Sequence, residues 1–195
     1  MGNERIYSSF NRGEFGGKLN EINLATGSSL TVFSSAFYPV TDVKFAPDGQ
    51  VWFVAGVSHM MLEDAGLFSY HEQHIQCHAK VSGFPTAALN ALRKPNAKQY
   101  LERTNWPFEP TTFVGLNFAE DGSILVASDD YGILTYRDEK WSKVTENWPQ
   151  AVSLAGFVLL KNSVAVLPVY DRGVVIIDLK TSQYKFILPD YCKSK

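Results

Sequence analysis

Two stretches of this chain repeat one pattern: "FAPDGQVWFVAG", residues 45–56, and "FAEDGSILVASD", residues 118–129. Each begins with Phe-Ala, places Asp-Gly three residues after the Phe, and continues into an apolar run that ends on small residues. An Asp-Gly pair between two apolar runs indicates a tight turn, because glycine accepts the positive φ that such turns require. Each stretch therefore predicts the end of one strand, a turn, and the start of the next strand.

The same register recurs four times along the chain. Strands that correspond to each other are predicted to start at Ile6, Val51, Ile124 and Val164. Second and third strands follow each start, at 18–22 and 29–33, 66–70 and 74–78, 132–136 and 141–145, and 173–177 and 184–188. Further candidate strands precede the last three starts, at 41–45, 114–118 and 154–158. The pattern predicts units of four antiparallel strands that recur about every 40 residues, interrupted once by a long insertion.

A period of about 40 residues, with short polar turns and strands rich in Val, Ile, Phe and Tyr, is typical of β-propeller blades. A β-sandwich is the alternative, but it gives no reason for one register to repeat across the units. "DVKFAPDGQVWFVAG" (42–56), with "AGLFSY" (65–70), and "GLNFAEDGSILVASDDYGILTYRDEKW" (115–141) resemble blades of the sensor-type and NHL-like propellers. This resemblance implies an all-β, propeller-like fold of about four blades in a single domain over 1–195, and little about function.

The first blade is predicted to be incomplete. Only five residues precede Ile6, so a first strand is missing there, and the chain end "PDYCKSK" (189–195) is a poor substitute because Pro189 and the lysines disfavour an inner strand. The incomplete propeller can then be one of three things: a compact four-blade ring, half of a larger ring that a second copy completes, or a fragment of a longer parent protein. Since an unpaired strand edge can pair with another chain, we expect self-association through the first blade.

Irregular length is concentrated on one predicted face. The turns on the other face are short, whereas residues 55–66 and 81–110 form two inserted loops, with short helices predicted over 86–93 and 97–103. Long structured loops in compact domains usually carry function. We refer to this side as the insertion face, and it is the predicted functional side.

The insertion face carries methionines, aromatic residues and charges of both signs, a composition typical of protein interfaces. The sequence therefore favours a non-enzymatic binding protein that engages a protein partner, as an assembly scaffold or as an inhibitor such as an immunity protein. The predicted partner-binding residues are His59, Met60, Met61, Glu63, Arg103, Trp106, Phe108, Tyr131, Tyr170 and Arg172.

The segment "HEQHIQCH", residues 71–78, offers side chains that bind Zn or Cu. Strand alternation counts against one shared ion, because His74 and His78 face one way and Cys77 faces the other. The candidate metal ligands are therefore His71 and His74, on either side of a two-residue turn. The alternative is an exposed polar outer strand, and no cofactor is expected beyond a possible divalent cation.

Two further functions remain as alternatives. The first is a lactonase-like hydrolase that depends on a divalent metal. Propeller lactonases of the regucalcin and gluconolactonase type hold a divalent cation through acidic and amide side chains and polarise a lactone there. Their early Glu-x-Pro-x-Trp element is absent here, and the candidate carboxylates are equally suited to turns: Glu63, Asp64, Asp129, Asp130 and Asp171. Resemblance to sensor-type propellers implies a small-ligand sensor, with a pocket lined by Phe15, Tyr131 and Tyr170.

Charge and composition limit the remaining classes. With 18 Lys and Arg against 20 Asp and Glu, the chain has no positive field to attract nucleic acid. The N-terminus "MGNERIYSSF" has no apolar signal segment, and no stretch reaches the roughly 18 apolar residues of a membrane span. Cys77 and Cys192 are too few for a disulfide framework, which indicates a reducing compartment and a cytoplasmic protein.

Overall fold

The chain forms two compact units, Met1–Pro110 and Thr111–Lys195. This computed structural model describes residues 4–13, 15–36, 38–59, 62–81, 106–109, 111–149, 152–160, 163–170 and 173–188. Regular structure within these ranges consists of β-strands. None of the residues in these ranges belongs to a helix long and apolar enough to cross a membrane.

The first unit contains two antiparallel sheets. The first sheet has the order β1-β2-β3, with β1 (Arg5–Asn11), β2 (Gly17–Asn23) and β3 (Ser29–Ser35). The second sheet has the order β4-β5-β6-β7, with β4 (Val40–Phe45), β5 (Val51–His59), β6 (Leu62–His71) and β7 (His74–Lys80). Among the described residues the first sheet has one strand fewer than the second, as the sequence predicts for the first blade.

The second unit repeats the four-stranded plan twice. The third sheet contains β8 (Phe113–Phe118), β9 (Ile124–Ser128), β10 (Gly132–Arg137) and β11 (Lys140–Lys143). The fourth contains β12 (Val158–Leu160), β13 (Val164–Val169), β14 (Gly173–Asp178) and β15 (Gln183–Ile187). Both sheets pair consecutive strands, so the repeated register identified in the sequence is a repeated antiparallel meander.

The repeated Asp-Gly pairs form the turns between β4 and β5 and between β8 and β9. Asp48 Oδ1 accepts a 2.9 Å hydrogen bond from the Gln50 N–H, and Asp121 Oδ1 accepts one of 3.0 Å from the Ser123 N–H. Gly49 and Gly122 have φ of 83° and 81°, which a residue with a side chain rarely adopts. These matched turns explain why the chain repeats the same motif at both positions.

Alternation along the strands builds a hydrophobic cluster in each unit. In the first unit, Phe33 of the first sheet packs against Phe53 and Phe68 of the second, with ring centroids 5.3 and 5.6 Å away. All three rings are fully buried, and burying each contributes about 1.5 to 3 kcal/mol. In the second unit the inward side chains of β13 and β14 form the core with Leu125, Ala127 and Ile133.

The predicted loop over 55–66 is wrong. β5 continues to His59 and β6 begins at Leu62, and the two strands stay in register as far as the His59–Leu62 pair. The reason is local: Val57 is buried, so alternation continues past the small residues at which the loop was expected to start. The extra length is therefore a longer hairpin.

Two other expectations concern the inserted loop 81–110 and the first strand of the fourth sheet. The predicted helices over 86–93 and 97–103 lie outside them, as does most of the inserted loop 81–110. The predicted strand at 154–158 begins later, at Val158, and Leu154 forms only an isolated bridge with Val169. Single-domain organisation and ring closure depend on the arrangement of the two units, and both remain predictions.

Candidate functional site

The first unit has a recess of about 510 Å³ at the end of the second sheet where the short turns lie. Its walls come from the start of β1, the turn between β4 and β5, and the turn between β6 and β7. The residues that line it are Arg5, Tyr7, Phe45, Gly49, Val51, Tyr70, His71, Glu72 and Gln73.

Aromatic side chains from three strands form the inner part of the recess. Tyr7 lies on β1, Phe45 ends β4 and Tyr70 lies near the end of β6. The Tyr7 ring packs edge to face on Phe45 and on Tyr70, with centroids 5.5 and 6.1 Å away. Phe45 remains 56% exposed although it lies in this cluster. The recess thus offers an apolar surface to a ligand.

A buried carboxylate lies behind the aromatic rings. Glu21 of β2 is largely buried, and its Oε2 accepts a 2.9 Å hydrogen bond from the Tyr7 hydroxyl. Its Oε1 lies 3.1 Å from Arg5 Nη1. Burial, followed by the hydrogen bond and charge of Glu21, raises the pKa of Tyr7 to about 12. Arg5 and Glu21 therefore neutralise each other at the wall of the recess.

Tyr70 is the unusual member of this site. Its side chain is 4% exposed, and its hydroxyl has no hydrogen-bond partner among the residues that the structure describes. Burial raises the pKa of Tyr70, and the charge and the nearby carboxylate of Glu21 add to that shift, so the phenol stays protonated. The Glu21 carboxylate is thus close to this hydroxyl, but it forms no hydrogen bond with it by distance and angle. A buried hydroxyl without a partner costs about 1 to 3 kcal/mol. The oxygen itself is covered, so a ligand that bonded to it would first have to shift the neighbouring rings, and it would then recover part of that cost.

One of the two candidate metal ligands, His71, lines the same recess, and the other, His74, lies across the turn from it. His71 and His74 form a cross-strand pair on either side of a turn in which Glu72 and Gln73 have φ of 47° and 67°. His71 Nε2 lies 3.7 Å from Glu72 Oε1, and His74 Nδ1 lies 2.8 Å from the Glu72 carbonyl oxygen. The strand register places the two histidines opposite each other, while these contacts tie both rings to the turn itself.

The other two members of the "HEQHIQCH" segment point in different directions. His78 stacks on Trp52, with centroids 4.1 Å apart, and its Nε2 lies 2.8 Å from Ser69 Oγ. Cys77 is buried in the core, as strand alternation predicts. Within the described ranges, no three His, Cys, Asp or Glu side chains form a group that could hold a metal ion.

The acidic pair proposed for cation binding has a structural role in the second unit. Asp129 Oδ1 accepts a 2.7 Å hydrogen bond from the Leu154 N–H, which fixes the segment before β12. Asp130 Oδ2 accepts a 2.7 Å bond from the Thr111 hydroxyl, which also lies 2.7 Å from Ser128 Oγ. The other candidate carboxylates lie in β6, at Glu63 and Asp64, or outside the described ranges, at Asp171.

The predicted partner-binding residues are distributed over both units. His59 and Glu63 lie in β5 and β6, while Met60, Met61, Arg103 and Arg172 fall outside the described residues. In the second unit, Lys143 Nζ lies 4.4 Å from the centre of the Tyr131 ring, and Tyr170 is 62% exposed. The sensor hypothesis joins these two tyrosines with Phe15 of the other unit, so that pocket remains a prediction.

Trp106 and Phe108 form a small aromatic pair in the described segment 106–109. Their rings meet edge to face at 5.2 Å, and Trp106 Nε1 donates a 3.1 Å hydrogen bond to the Glu109 carbonyl oxygen. Both side chains remain partly exposed. Their geometry is compatible with either a packed cap or a contact surface.

The sequence analysis missed the recess because it placed function where the chain is longest. One available signal was Glu21, whose carboxylate occupies an inward position in β2, two residues from the buried Leu19. A charge at such a position needs partners. β1 places Tyr7 directly opposite Glu21, and Arg5, which is opposite Asn23, reaches the same carboxylate from two residues along the strand. That pairing required a strand register that the sequence pattern did not give.

No protein-family model and no curated protein matches this chain. Among solved structures it is similar to TolB from Acinetobacter baumannii, at 16% identity and a TM-score of 0.55, covering 95% of this chain and 41% of TolB. An oligogalacturonate lyase in complex with manganese is 12% identical with a TM-score of 0.51, and the match covers 89% of this chain and 42% of the lyase. An extracellular domain assigned to a hybrid two-component system of B. thetaiotaomicron is 13% identical with a TM-score of 0.52. That match covers 90% of this chain and 20% of the extracellular domain.

These likenesses show the fold alone. The chain has an all-β fold of the β-propeller type, which confirms the resemblance inferred from its repeats. It spans about two fifths of TolB and of the lyase, and about a fifth of the sensor domain.

Proposed function

We propose that this chain is a binding module, and that the recess beside Tyr7 and Tyr70 takes a small, neutral ligand rich in hydroxyl groups, such as a saccharide unit. The observation that carries this proposal is the Tyr70 hydroxyl, which is buried at the recess wall without a hydrogen-bond partner in the described structure. A hydroxyl on a ligand can accept its proton or donate to its oxygen.

The preference for a neutral ligand follows from the charges around the recess. Arg5 is already paired with Glu21, whose other oxygen is bonded to Tyr7. An anionic ligand would therefore compete with Glu21 for the guanidinium group of Arg5, and a cationic ligand would be repelled by that group. What remains to be satisfied is a hydrogen bond, which a neutral polar group provides at a smaller desolvation cost.

The shape and surface of the recess agree with a ligand of this class. Its volume of about 510 Å³ falls within the range of about 300 to 1,000 Å³ that is usual for small-molecule sites. The exposed ring of Phe45 offers an apolar surface to the C–H face of a sugar, while Gln73 and Glu72 at the rim offer polar groups. One solved neighbour is named an oligogalacturonate lyase, which is compatible with a saccharide ligand without assigning the recess.

The test uses neutral mono- and disaccharides as probes, screened by saturation-transfer NMR and then measured by titration calorimetry. We expect binding by the wild-type chain and at least a tenfold loss of affinity in Tyr70→Phe, which keeps the ring and removes the hydroxyl. Tyr184→Phe is the matched control, because Tyr184 lies in the second unit and bonds to the Asn147 carbonyl oxygen.

Two results would contradict this proposal. One is equal affinity of wild type and Tyr70→Phe for the same sugar, which would mean that the hydroxyl does not take part. The other is tighter binding of galacturonate than of galactose, which would mean that Arg5 is available to an anion. Absence of any binding at millimolar sugar would also reject the saccharide class.

A second candidate function is capture of a protein partner, as a scaffold or an inhibitor of the immunity type, and the aromatic pair Trp106 and Phe108 favours it. Rigid aromatic residues that stay partly exposed are frequent anchors of protein interfaces. If this pair binds a partner, Trp106→Ala with Phe108→Ala should leave the melting temperature within about 2 °C of wild type and remove a partner co-purified from the native host. A large fall in the melting temperature would instead assign both rings to the core.

The cytoplasmic location remains part of this second proposal.

A further inference from the structure

The first sheet has a strand with a single neighbour. In the other three sheets the strands that correspond to β1 are β5, β9 and β13, and each lies between two neighbours. Among the described residues, β1 pairs only with β2. Five of the seven residues of β1 are exposed, whereas all of β9 is buried. Thus β1 is an edge strand where the repeat otherwise has an interior strand, and we refer to its unpaired side as the open edge.

The register of β1 with β2 shows which backbone groups face the open edge. The Leu24 N–H donates a 3.0 Å hydrogen bond to the Glu4 carbonyl oxygen, and the Arg12 N–H donates one of 2.9 Å to the Gly16 carbonyl oxygen. Both bonds extend the register of the two strands, in which every second residue of β1 is hydrogen-bonded to β2. The remaining residues of β1 direct their N–H and C=O groups to the open edge: Arg5, Tyr7, Ser9 and Asn11.

The open edge lacks the features that usually keep an edge strand from pairing. Such strands are typically short, interrupted by a bulge, or marked by Lys or Pro. The sequence of β1, RIYSSFN, contains neither Lys nor Pro, and the bulge of this sheet lies between β2 and β3. Its outward face carries Ile6 and Phe10, which are 46 and 55% exposed. An exposed edge strand with these residues is a template for pairing with another strand.

The second sheet covers β1 from the inner face and leaves the open edge accessible. Tyr7 of β1 packs on Phe45 of β4, and a methyl group on Gly17 of β2 would collide with the backbone of Val40 at the start of β4. Strand β4 therefore crosses over both β1 and β2. At the open edge itself Ser9 is exposed, so a further strand can reach it.

We propose that β1 pairs antiparallel with β1 of a second copy of this chain, about a two-fold axis at Ser8. The two first sheets then form one continuous sheet of six strands through a single self-complementary contact. This register places Ile6 of each copy directly opposite Phe10 of the other. Because side chains directly opposite each other on antiparallel strands are in contact, the exposed apolar residues of the two copies cover each other.

The backbone and the charges fit the same axis. The register places Tyr7 of one copy opposite Ser9 of the other, and Arg5 opposite Asn11, so open backbone groups meet open backbone groups. The two Arg5 residues lie about 20 Å apart along the strands, at about 3.3 Å per residue, so no like charges meet.

Other registers lose this fit. An axis at Tyr7 places Ile6 opposite Ser8, and an axis at Ser9 places Ile6 opposite Arg12. An axis between two residues would bring the open groups of one strand against residues of the other that already bond to β2. Only the axis at Ser8 joins the exposed apolar residues of the strand, which favours a second copy as the occupant of the open edge.

The first test is the mass of the full chain in solution, measured by light scattering and sedimentation. A contact made by one strand covers less than the roughly 1,200 to 2,000 Å² of stable interfaces, so we expect association in a range of about 1 to 300 μM. The mass should rise from one chain to two across this range. A wild-type chain that stays at single mass throughout overturns the proposal.

Substitutions at Ser9 test the role of the backbone. Ser9→Pro removes an N–H at the open edge and leaves the bonds between β1 and β2 in place, so we expect single-chain mass. Ser9→Ala is the matched control, because it keeps that N–H and should associate as wild type does. Circular dichroism and the melting temperature show whether both variants fold. A folded Ser9→Pro chain that still doubles its mass overturns the proposal.

Disulfide cross-linking tests the axis without disturbing the strand, and it decides the matter if Ser9→Pro fails to fold. In a Cys192→Ser background, Ser8→Cys places two thiols opposite each other, with Cα atoms about 4.5 Å apart, which suits a disulfide. We expect a covalent dimer on a non-reducing gel after mild oxidation. Ser29→Cys is the control, because Ser29 is exposed on the same face of the sheet but lies on β3. Equal cross-linking by both variants, or none by Ser8→Cys where wild type doubles its mass, overturns the proposal.

Discussion

The hydroxyl of Tyr7 donates a 2.9 Å hydrogen bond to Glu21 Oε2, and this contact holds a largely buried carboxylate at the wall of the recess. Tyr7→Phe removes the donor and leaves that oxygen facing an apolar ring edge. Because a hydrogen bond to a charged group is worth more than a neutral one, we expect a loss of about 1 to 2 kcal/mol in the free energy of unfolding. Urea denaturation checks this value, and no loss would mean that water replaces the hydroxyl.

Tyr70→Phe is expected to act in the opposite direction. This substitution removes a buried hydroxyl that makes no hydrogen bond within the described structure. Stability should therefore stay equal or rise by about 1 kcal/mol, because the desolvation cost of the hydroxyl disappears. The same urea series gives the measurement, and a loss of more than about 1 kcal/mol would show that the hydroxyl has a partner in solution.

Alkaline pH should weaken the first unit through Tyr7. Its pKa is raised from 10.0 to about 12 in the fold, so folding favours the protonated phenol. The stability that this adds is complete below pH 10 and is lost as the pH rises from about 10 towards 12. Denaturation midpoints at pH 8 to 11.5 should fall in wild type, and the fall should be smaller in Tyr7→Phe. Parallel curves for the two proteins would contradict the assignment to Tyr7.

Two glycines with nearly equal φ provide a matched test of crowding. Gly16 and Gly49 have φ of 86° and 83°. A methyl group on Gly16 would collide with the backbone of Ser35 and Ala36, whereas one on Gly49 would meet open space. Gly49→Ala should cost about 1 kcal/mol from backbone strain alone, and Gly16→Ala should cost several. Thermal unfolding of both variants measures the difference, and equal costs would show that the segment around Ser35 moves aside.

Asp129→Ala should destabilise the second unit by about 1 to 2 kcal/mol, because it leaves the Leu154 N–H without its 2.7 Å acceptor. Asp138→Asn is the control, since Asp138 is an exposed turn residue with φ of 48°, a conformation that Asn also accepts, and its carboxylate lies 3.7 Å from Arg137 Nε at the surface. Calorimetry with and without Ca²⁺ or Mn²⁺ gives the second readout. A melting temperature of wild type that rises with the cation, and no longer does so in Asp129→Ala, would return this carboxylate to a metal role.

Most of the fold could be predicted from the sequence because its signals are local. The Asp-Gly turns and the alternation after them place the starts of β5, β9 and β13 at Val51, Ile124 and Val164, where the structure has them. Within the described residues the first sheet has three strands, as the repeated register predicts for the first unit. The error over 55–66 has a local cause as well: small residues such as Gly56 indicate a turn, yet they also fit within a hairpin.

The candidate site was much less predictable, because it depends on contacts between distant strands. Tyr7, Glu21 and Tyr70 are 14 and 49 positions apart along the chain. The register of β1 with β2 brings Tyr7 to Glu21, and the packing of the first sheet on the second brings Tyr70 to Tyr7. A tyrosine without a hydrogen-bond partner has no sequence signature at all. The histidine segment shows the reverse, since its composition suggested a metal site and the structure turns its members to different sides.

The long hairpin of β5 and β6 has a consequence for local opening. β4 accompanies β5 only as far as the Val40–Ala55 pair, and β7 accompanies β6 only from the Gly66–Lys80 pair, while the hairpin itself continues to His59 and Leu62. Beyond those points the described residues pair only with each other as a two-stranded ribbon, which is marginally stable by itself. Amide protons between Val57 and Asp64 should therefore exchange with solvent through fraying of the ribbon, at a lower free energy than the unfolding that exposes Phe53 and Phe68.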